Sequence, residues 1–332
     1  MRQAYTEAGS RCENTGLTLL LFDGGSSGSG DSHTRAGAEA VLFESGLRQR
    51  DQSEPERPGG RLLPRIGTLV ANLSNASLEF ALSSLSVVSA EPDCTIHLPT
   101  HEEPELVERR GDARRRRLGV QSAPPSWGLD RIDERALPLD NSYNYGQYTG
   151  AGVRVYVLDT GVRTSHDEFD SRTDTGYAPA CPTGSEEGCG VNWFVGAVID
   201  ESCHPHGTHC AGTVAGSSAG VAKEAIIVPV MVLGCDGYGA TSIIIAGIEW
   251  AIDDVAAHPG TRGVISMSLG GGGYSQAYDA AIRSAHDAGI PVVAAAGNDG
   301  IDQCNASPLT EPSTIVVGAS ASDDARVYNY GA

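Results

Sequence analysis

Residues 152–159 read GVRVYVLD, a run of apolar and β-branched residues that ends on an aspartate. Only Arg154 interrupts the apolar pattern, which is typical of a strand buried on both faces of a parallel sheet. Thr160 and Gly161 follow at once, and this pair predicts a tight turn. Asp159 therefore leaves the sheet at the end of its strand, either as an ordinary turn residue or as part of a site.

Similar apolar runs recur along the second half of the chain. They are AIIVPVMVL at 225–233, GVISMSL at 263–269, IPVVAAAG at 290–297 and TIVVGAS at 314–320. Helices are predicted between them at 206–215, 241–257 and 276–288, the last two from apolar residues at helical spacing. This alternation predicts an α/β fold in which crossover helices cover a mostly parallel sheet.

Polar residues at the carboxyl ends of the strands are the expected functional positions in such a fold. Three residues meet this description: Asp159, Ser268 and Asn298. In HPHGTHCAG, residues 204–212, Pro205 suits the first turn of a helix and places His206 beside those strand ends. A carboxylate can orient an imidazole there, and the Asn298 amide can donate to a developing oxyanion.

The same stretch also allows a metal site. His206 and His209 lie three residues apart on one helix face, a spacing that can ligate zinc. No acidic or cysteine ligands accompany them at suitable spacing, so the sequence favours a catalytic base. His209 and Cys210 are then predicted to pack inward, and His204 is predicted to lie on the loop surface.

Composition excludes several classes of partner. The chain has 332 residues, 40% of them hydrophobic, and a formal net charge of −19, which argues against nucleic-acid and anionic-membrane binding. The sequence contains no run of about 18 apolar residues, so no transmembrane helix is predicted. Eight cysteines, with glycosylation sequons at Asn72, Asn75 and Asn305, indicate an oxidising secretory route. The apolar stretch 17–22 is short and lacks a basic lead-in, so it is a poor signal peptide.

Changes in composition divide the chain into four parts. Residues 1–60 are predicted to be a disordered or weakly ordered N-terminal region. Residues 61–98 predict a small α+β domain with a short strand, a helix that begins near Ser74, and an apolar strand that ends at residues 91–93. An arginine-rich linker is predicted over 99–122 and includes RRGDARRRR, and the large α/β domain is predicted over 123–332.

Five ordered motifs in the large domain resemble the subtilisin-like serine proteases, and most of all their proteinase K and aqualysin branch. The motifs are VYVLDTGV, HGTHCAGTVAG, ISMSLGGGGYS, VVAAAGN and SPLTEPSTIVVGAS. The resemblance covers about residues 124–332 and implies a three-layer fold. Residues 66–98 resemble the closing half of the family's inhibitory propeptide, which implies that the chain carries its own intramolecular inhibitor.

The resemblance also implies roles for individual residues in peptide-bond hydrolysis. Asp159 would orient the base, His206 would be that base, and Asn298 would donate to the oxyanion. Polypeptide substrates would bind as an added strand in a cleft between two edges, formed by Ser268, Leu269 and Gly270 on one side and by Gly237 and Gly239 on the other. The chemistry requires no cofactor, but structural calcium is implied at the main-chain carbonyls of Pro312 and Thr314.

The nucleophile departs from the family pattern. In the family, the catalytic serine lies in a GTSMA-like sequence downstream of NYG, whereas this sequence stops at residues 329–332, NYGA. The chain as written is therefore predicted to be an inactive serine endopeptidase zymogen. Either the sequence is truncated, or the protein is a pseudoprotease that binds peptides or inhibits other proteins without a nucleophile.

Cysteine pairings are also taken from the resemblance. It implies a disulfide between Cys203 and Cys235, and it assigns Cys210 to a packed thiol on the helix of the base. Cys181 and Cys189 are close enough in sequence to close one loop. Together with Cys203 and Cys235 they make four cysteines, which allow three pairings. In relatives, the partner of Cys304 follows the NYG sequence.

Overall fold

The computed structural model describes residues 12–22, 60–84, 86–98, 119–179, 203–271, 273–300 and 302–327. Its strands are β1 (Asn14–Phe22), β2 (Arg61–Leu63), β3 (Thr68–Ala71), β4 (Val87–His97), β5 (Val120–Ser122), β6 (Ser142–Asn144), β7 (Val153–Asp159), β8 (Ile226–Met231), β9 (Tyr238–Ala240), β10 (Arg262–Met267), β11 (Val292–Ala295) and β12 (Thr314–Val317). Its α-helices are α1 (Asn75–Ser83), α2 (Trp127–Asp133), α3 (Pro205–Ala215), α4 (Thr241–Ala257) and α5 (Gln276–Asp287).

A parallel sheet forms the centre of the large domain, with strand order β12-β11-β10-β7-β8. All five predicted apolar runs are strands of this sheet, and the three predicted helices are α3, α4 and α5. The α/β prediction is therefore confirmed. Strand β7 ends with its apolar run at Asp159, whereas the other four strands end before their runs do, and the last residues of those runs lie in the loops at the carboxyl edge of the sheet.

Buried side chains cover both faces of the parallel sheet. On one face, Tyr156 and Leu158 join a core cluster that also contains residues of α4 and α5. On the other face, Val155 and Val157 pack with Ala211 and Ala215 of α3. Burial on both faces explains the continuous apolar run of β7. The edge strand β12 differs, because its apolar residues Ile315, Val316 and Val317 are exposed.

Arg154 is the exception to the apolar pattern and is also buried. Its guanidinium donates to Asp174 at 2.7 Å and to Asp254 at 2.9 Å, and Tyr156 Oη donates to the same Asp254 carboxylate at 2.8 Å. The charge is therefore paired on both sides, as burial of an ion requires.

A second, antiparallel sheet has the order β2-β3-β1-β4-β9. Strands β1 to β4 belong to what we call the N-terminal unit, residues 12–22 and 60–98, whereas β9 belongs to the large domain. The helix predicted near Ser74 is α1, and the Ser74 side chain caps it by accepting from Ser77 N at 3.2 Å. Leu19, Ile66 and Ile96 of this unit lie in the same core cluster as α4, so the two units share one core.

The predicted extent of the disordered or weakly ordered N-terminal region is wrong. Residues 14–22 are not part of a disordered region but form β1, paired with both β3 and β4. Leu19 faces the core shared with α4, whereas Leu20 and Phe22 pack in the cluster that includes Ala81 of α1. Because both faces of β1 are buried, its sequence lacks the alternation that reveals an ordinary antiparallel strand.

The linker and the last strand of the N-terminal unit also differ from the prediction. Residues 120–122 of the predicted 99–122 linker form β5, which pairs with β6, and residues 99–118 lie outside the described part of the chain. Strand β4 does not end at residues 91–93 but continues to His97, because its last residues pair with β9.

Two disulfides lie in the described part of the chain. Cys203–Cys235 confirms the implied pairing. Cys12–Cys94, which the sequence did not predict, joins the start of β1 to β4 across 82 residues. Cys181 and Cys189 lie outside the described residues. Among the described residues, no helix is both long and apolar enough to cross a membrane.

Candidate active site

The end of β7 and the start of α3 bring a carboxylate and an imidazole together. Asp159 is fully buried, and its Oδ1 and Oδ2 lie 2.8 and 2.9 Å from Nδ1 of His206. An ionised carboxylate can only accept, so Nδ1 carries the proton that binds it. Nε2 is left as the nitrogen that can exchange a proton with a reacting group.

Neighbouring groups fix the His206 backbone. Pro205 occupies the first turn of α3, as predicted, and Nδ1 of His204 accepts from His206 N at 3.2 Å. His204 is therefore the N-cap of α3 and not a loop-surface residue. Sequence reasoning missed this because histidine is not among the usual capping residues, which are Ser, Thr, Asp and Asn.

The charge on Asp159 favours the protonated form of His206. Burial by itself lowers the pKa of His206, but the hydrogen bond with Asp159 and then the contact with Cys210 outweigh it, so the pKa lies above its usual value. A site that stabilises an imidazolium in this way lowers the cost of transferring a proton to Nε2.

Cys210 and His209 follow on the same helix but occupy different surroundings. The Cys210 sulfur lies 3.8 Å from His206 Nδ1 and packs against the Val155 cluster, as predicted for a packed thiol. His209 is exposed, so the prediction that it packs inward is wrong. An exposed residue suits this position because α3 turns only one face toward the sheet.

Two groups of described residues have the composition of metal ligands. Asp159, His206 and Cys210 form one group, and Asp130, Glu134 and Asp140 form the other, with ligand atoms within 4.8 Å of one another in each. His209 belongs to neither group. In the first group, Asp159 already binds the His206 proton, which fits the base interpretation better than a zinc site.

The implied calcium site stays a prediction. Pro312 and Thr314 offer carbonyl oxygens, which are calcium ligands. The neighbouring carboxylate, Glu311, is already bound by Arg283 at 2.6 Å and by Ser313 Oγ at 3.0 Å.

A cleft lies between β9 and the residues that follow β10, and the end of β4 runs through it. We call residues 95–98 the cleft segment. Thr95, Ile96 and His97 pair antiparallel with β9, and Leu98 N donates to Gly237 O at 3.0 Å. On the opposite side, His97 N donates to Gly270 O at 3.1 Å.

The predicted cleft residues are therefore largely brought together. Gly237 and Gly239 lie on one edge, and Gly270 lies on the other, where it forms an isolated bridge with His97. A Cβ on Gly239 would lie 2.3 Å from Val232 O, so only glycine fits there. A pocket beside the cleft segment is lined by Asn298, Leu269, Gly270 and His97. Ser268 is half-buried between β10 and that pocket and does not line it.

Residues 150–330 match the Subtilase family of S8 peptidases. The chain belongs to the subtilase family. Subtilisin-like protease 6 of Arthroderma gypseum is 36% identical over 314 residues, which cover 91% of this chain and 69% of that relative. A solved structure described as a cold adapted subtilisin-like serine proteinase is 40% identical with a TM-score of 0.52, and the match covers 62% of this chain and 68% of that one.

Two further relatives have higher sequence identity over shorter matches. The extracellular serine proteinase of Thermus sp. (strain Rt41A) is 44% identical over 232 residues, 69% of this chain and 52% of the relative. The alkaline serine exoprotease A of Vibrio alginolyticus is 46% identical over 201 residues, 60% of this chain and 34% of the relative. The subtilase chain thus spans about half of the first relative and a third of the second.

Proposed function

We propose that this subtilase is a secreted serine endopeptidase zymogen that hydrolyses extended polypeptides. The observation that carries the proposal is the buried Asp159 carboxylate on Nδ1 of His206, which leaves Nε2 for proton transfer. In this mechanism His206 takes the proton of a serine nucleophile as the serine attacks the peptide carbonyl. His206 then gives that proton to the leaving amine as the peptide C–N bond breaks, and water hydrolyses the resulting acyl-enzyme. Asn298 donates to the oxyanion.

Substrate binding would follow the path of the cleft segment. A peptide adds itself as a strand between Gly237 and Gly239 on one edge and Ser268, Leu269 and Gly270 on the other. Support comes from His97, which is bonded through its main chain to Gly270, while its neighbour Leu98 is bonded to Gly237. Main-chain bonding of this kind accepts many sequences, and the buried Ile96 side chain favours apolar residues at its own position.

The N-terminal unit would then act as the intramolecular inhibitor. Its cleft segment occupies the same main-chain partners that a substrate needs. The variant His97→Pro removes the N–H that donates to Gly270, whereas His97→Ala keeps it. We expect His97→Pro to speed amide exchange at Gly270, whose N–H donates to His97 O, and to open the cleft to added peptides. His97→Ala should leave both near wild type. Equal protection of Gly270 in both variants would contradict inhibition by this segment.

The 332-residue chain by itself is proposed to be inactive. None of its serines lies in a GTSMA-like sequence, and without a nucleophile only residual catalysis is left. The alternative function is a pseudoprotease that binds peptides or inhibits in trans, which the same cleft would support.

A serine-directed fluorophosphonate separates the two functions. The coding sequence is read past Ala332, and the resulting product is labelled after removal of the N-terminal unit. We expect labelling that is lost in His206→Ala and kept in His209→Ala, a matched change on the exposed side of α3. A stop codon after Ala332, or no labelling of a longer product, would sink the peptidase proposal and favour peptide binding.

Structural calcium at Pro312 and Thr314 is proposed as a stabilising ion with no part in the chemistry. Adding calcium to chelator-treated protein should raise the Tm, since an ion that binds only the native state stabilises it by mass action. An unchanged Tm over a wide range of calcium concentrations would exclude the site.

A further inference from the structure

A helix that begins beside a reacting group must be held at the correct distance from it. The first four N–H groups of an α-helix lack partners within the helix and are available for this purpose. In α3, the His206 amide is bound by His204 from the same loop. The next amide, that of Gly207, is bound from a different part of the chain.

That partner is Thr160, the residue directly after Asp159. Its Oγ1 accepts from Gly207 N at 3.1 Å and donates to His204 O at 3.2 Å. Thr160 N also donates to Asp159 Oδ1 at 2.7 Å, which fixes the carboxylate from its own end. Thr160 is fully buried, so water does not replace these bonds.

Gly207 shows how closely the two segments approach each other. A Cβ at this position would lie 2.2 Å from Gly161 O and 3.1 Å from Asp159 Oδ1. The Thr160 hydroxyl thus binds the amide of a residue whose Cα lies in tight contact with the turn after β7.

We propose that Thr160 is a positioning residue for the Asp159–His206 pair: its hydroxyl caps α3 from the strand end and holds the imidazole on the carboxylate. The proposal rests on the function proposed for this pair. It assigns to Thr160 a role in the orientation of the base and none in contact with substrate. His204 and Thr160 together satisfy two consecutive amides, so the loss of either leaves a helix start that tilts away from Asp159.

The test compares Thr160→Ala with Thr160→Ser. Both variants lose the methyl group, but only Thr160→Ala loses the hydroxyl. In the full chain, we expect Thr160→Ala to speed amide exchange at Gly207 about tenfold, as the loss of one buried hydrogen bond implies. We also expect it to lower the pKa of His206 by about one unit and to weaken the low-field NMR resonance of the Nδ1 proton. Thr160→Ser should keep all three near wild type.

A change in the pKa of His206 distinguishes a positioning role of Thr160 from a purely structural role. Faster exchange at Gly207 with an unchanged His206 pKa and an unchanged Nδ1 resonance would overturn the proposal. So would Thr160→Ser if it behaved like Thr160→Ala. If Thr160→Ala does not fold, Thr160→Val, which keeps the volume without the hydroxyl, is read against wild type by the same criteria. None of these measurements requires hydrolysis, so a failure of fluorophosphonate labelling would leave them interpretable.

Discussion

At the scale of single residues, the site depends on how closely the backbone can approach. Gly207 lies on α3 where a Cβ would meet the carbonyl oxygen of Gly161, whereas a Cβ at Gly212 on the same helix meets nothing within 4 Å. One glycine is therefore required by contact and the other is not. The pair gives a direct test of the geometry.

Gly207→Ala is expected to destabilise the protein by about 2–3 kcal/mol, the cost of overpacking a site that cannot expand. It should also lower the pKa of His206, because the helix start must move away from Asp159. Gly212→Ala should stabilise by about 0.5–1 kcal/mol, as expected for alanine in a helix interior. Urea unfolding measures both. Equal effects of the two variants would show that the approach at Gly207 is not tight.

Asp93 gives a prediction about pH. Burial raises the pKa of Asp93 to about 6, although bonds from Ser242 and Thr15 oppose the rise. The value exceeds that of an unfolded chain, about 3.9, so the contribution to stability is present at low pH and lost as the pH rises toward 6. The stability of wild type relative to Asp93→Asn should therefore fall by about 2 kcal/mol between about pH 4 and 7. A difference that is constant with pH would refute this.

At the scale of elements, three helices of the large domain have first-turn amides that bind side chains from distant segments of the chain. In α3, the Gly207 amide donates to Thr160. In α4, the Ser242 amide donates to Asp93, and in α5 the first two amides donate to Glu91. The N-cap residue of α4, Ala240, has no side-chain bond of its own to offer. The Asp93 carboxylate of β4 therefore supplies a partner that α4 lacks at its own start, and the Glu91 carboxylate adds to the cap that Ser275 gives α5.

Glu91→Ala should accordingly loosen the N-terminal unit. The carboxylate accepts from Ser275 Oγ at 2.5 Å, Gln276 N at 2.9 Å and Ala277 N at 3.1 Å. Leaving these three donors unpaired costs at least about 3 kcal/mol, since each costs roughly 1–3 kcal/mol. Glu79→Ala on the exposed side of α1 should change stability by less than about 0.5 kcal/mol. Unaltered exchange at Gln276 and Ala277 in Glu91→Ala would rule out this role.

The sequence predicted those elements whose signals lie in residues close together along the chain. The α4 helix was predicted with its observed bounds, and the Asp159–His206 contact followed from a strand end and a helix start. Strand β1 was missed because both of its faces are buried, so its sequence does not alternate between apolar and polar residues. The His204 cap and the extension of β4 to His97 depend on partners far along the chain, which no local pattern reveals.

At the scale of the whole molecule, the Cys12–Cys94 disulfide fastens the two ends of the N-terminal unit. It links residues 82 apart in sequence, whereas Cys203–Cys235 links residues 32 apart. Cys94 lies between Asp93, which caps α4, and Thr95, which pairs with β9. The bond therefore anchors β1 beside the contacts that join the two units.

Cys12→Ser should lower the free energy of unfolding by about 4 kcal/mol, because the crosslink restricts a long loop in the unfolded chain. The exposed free thiol of Cys304 provides the control, and Cys304→Ser should leave stability within about 0.5 kcal/mol of wild type. Urea unfolding under non-reducing conditions measures both. If Cys12→Ser unfolds at the wild-type midpoint, the crosslink carries no stability.

Neither of the two disulfides among the described residues joins one unit to the other, so the residues between Leu98 and Gly119 provide the covalent connection between the units. While that connection is intact, the cleft segment competes for β9 at an effective concentration that no dissolved peptide easily matches. A single cut in this stretch turns an intramolecular contact into a bimolecular one. Occupancy of the cleft would then depend on how far the protein is diluted, so release into a large volume would itself empty it.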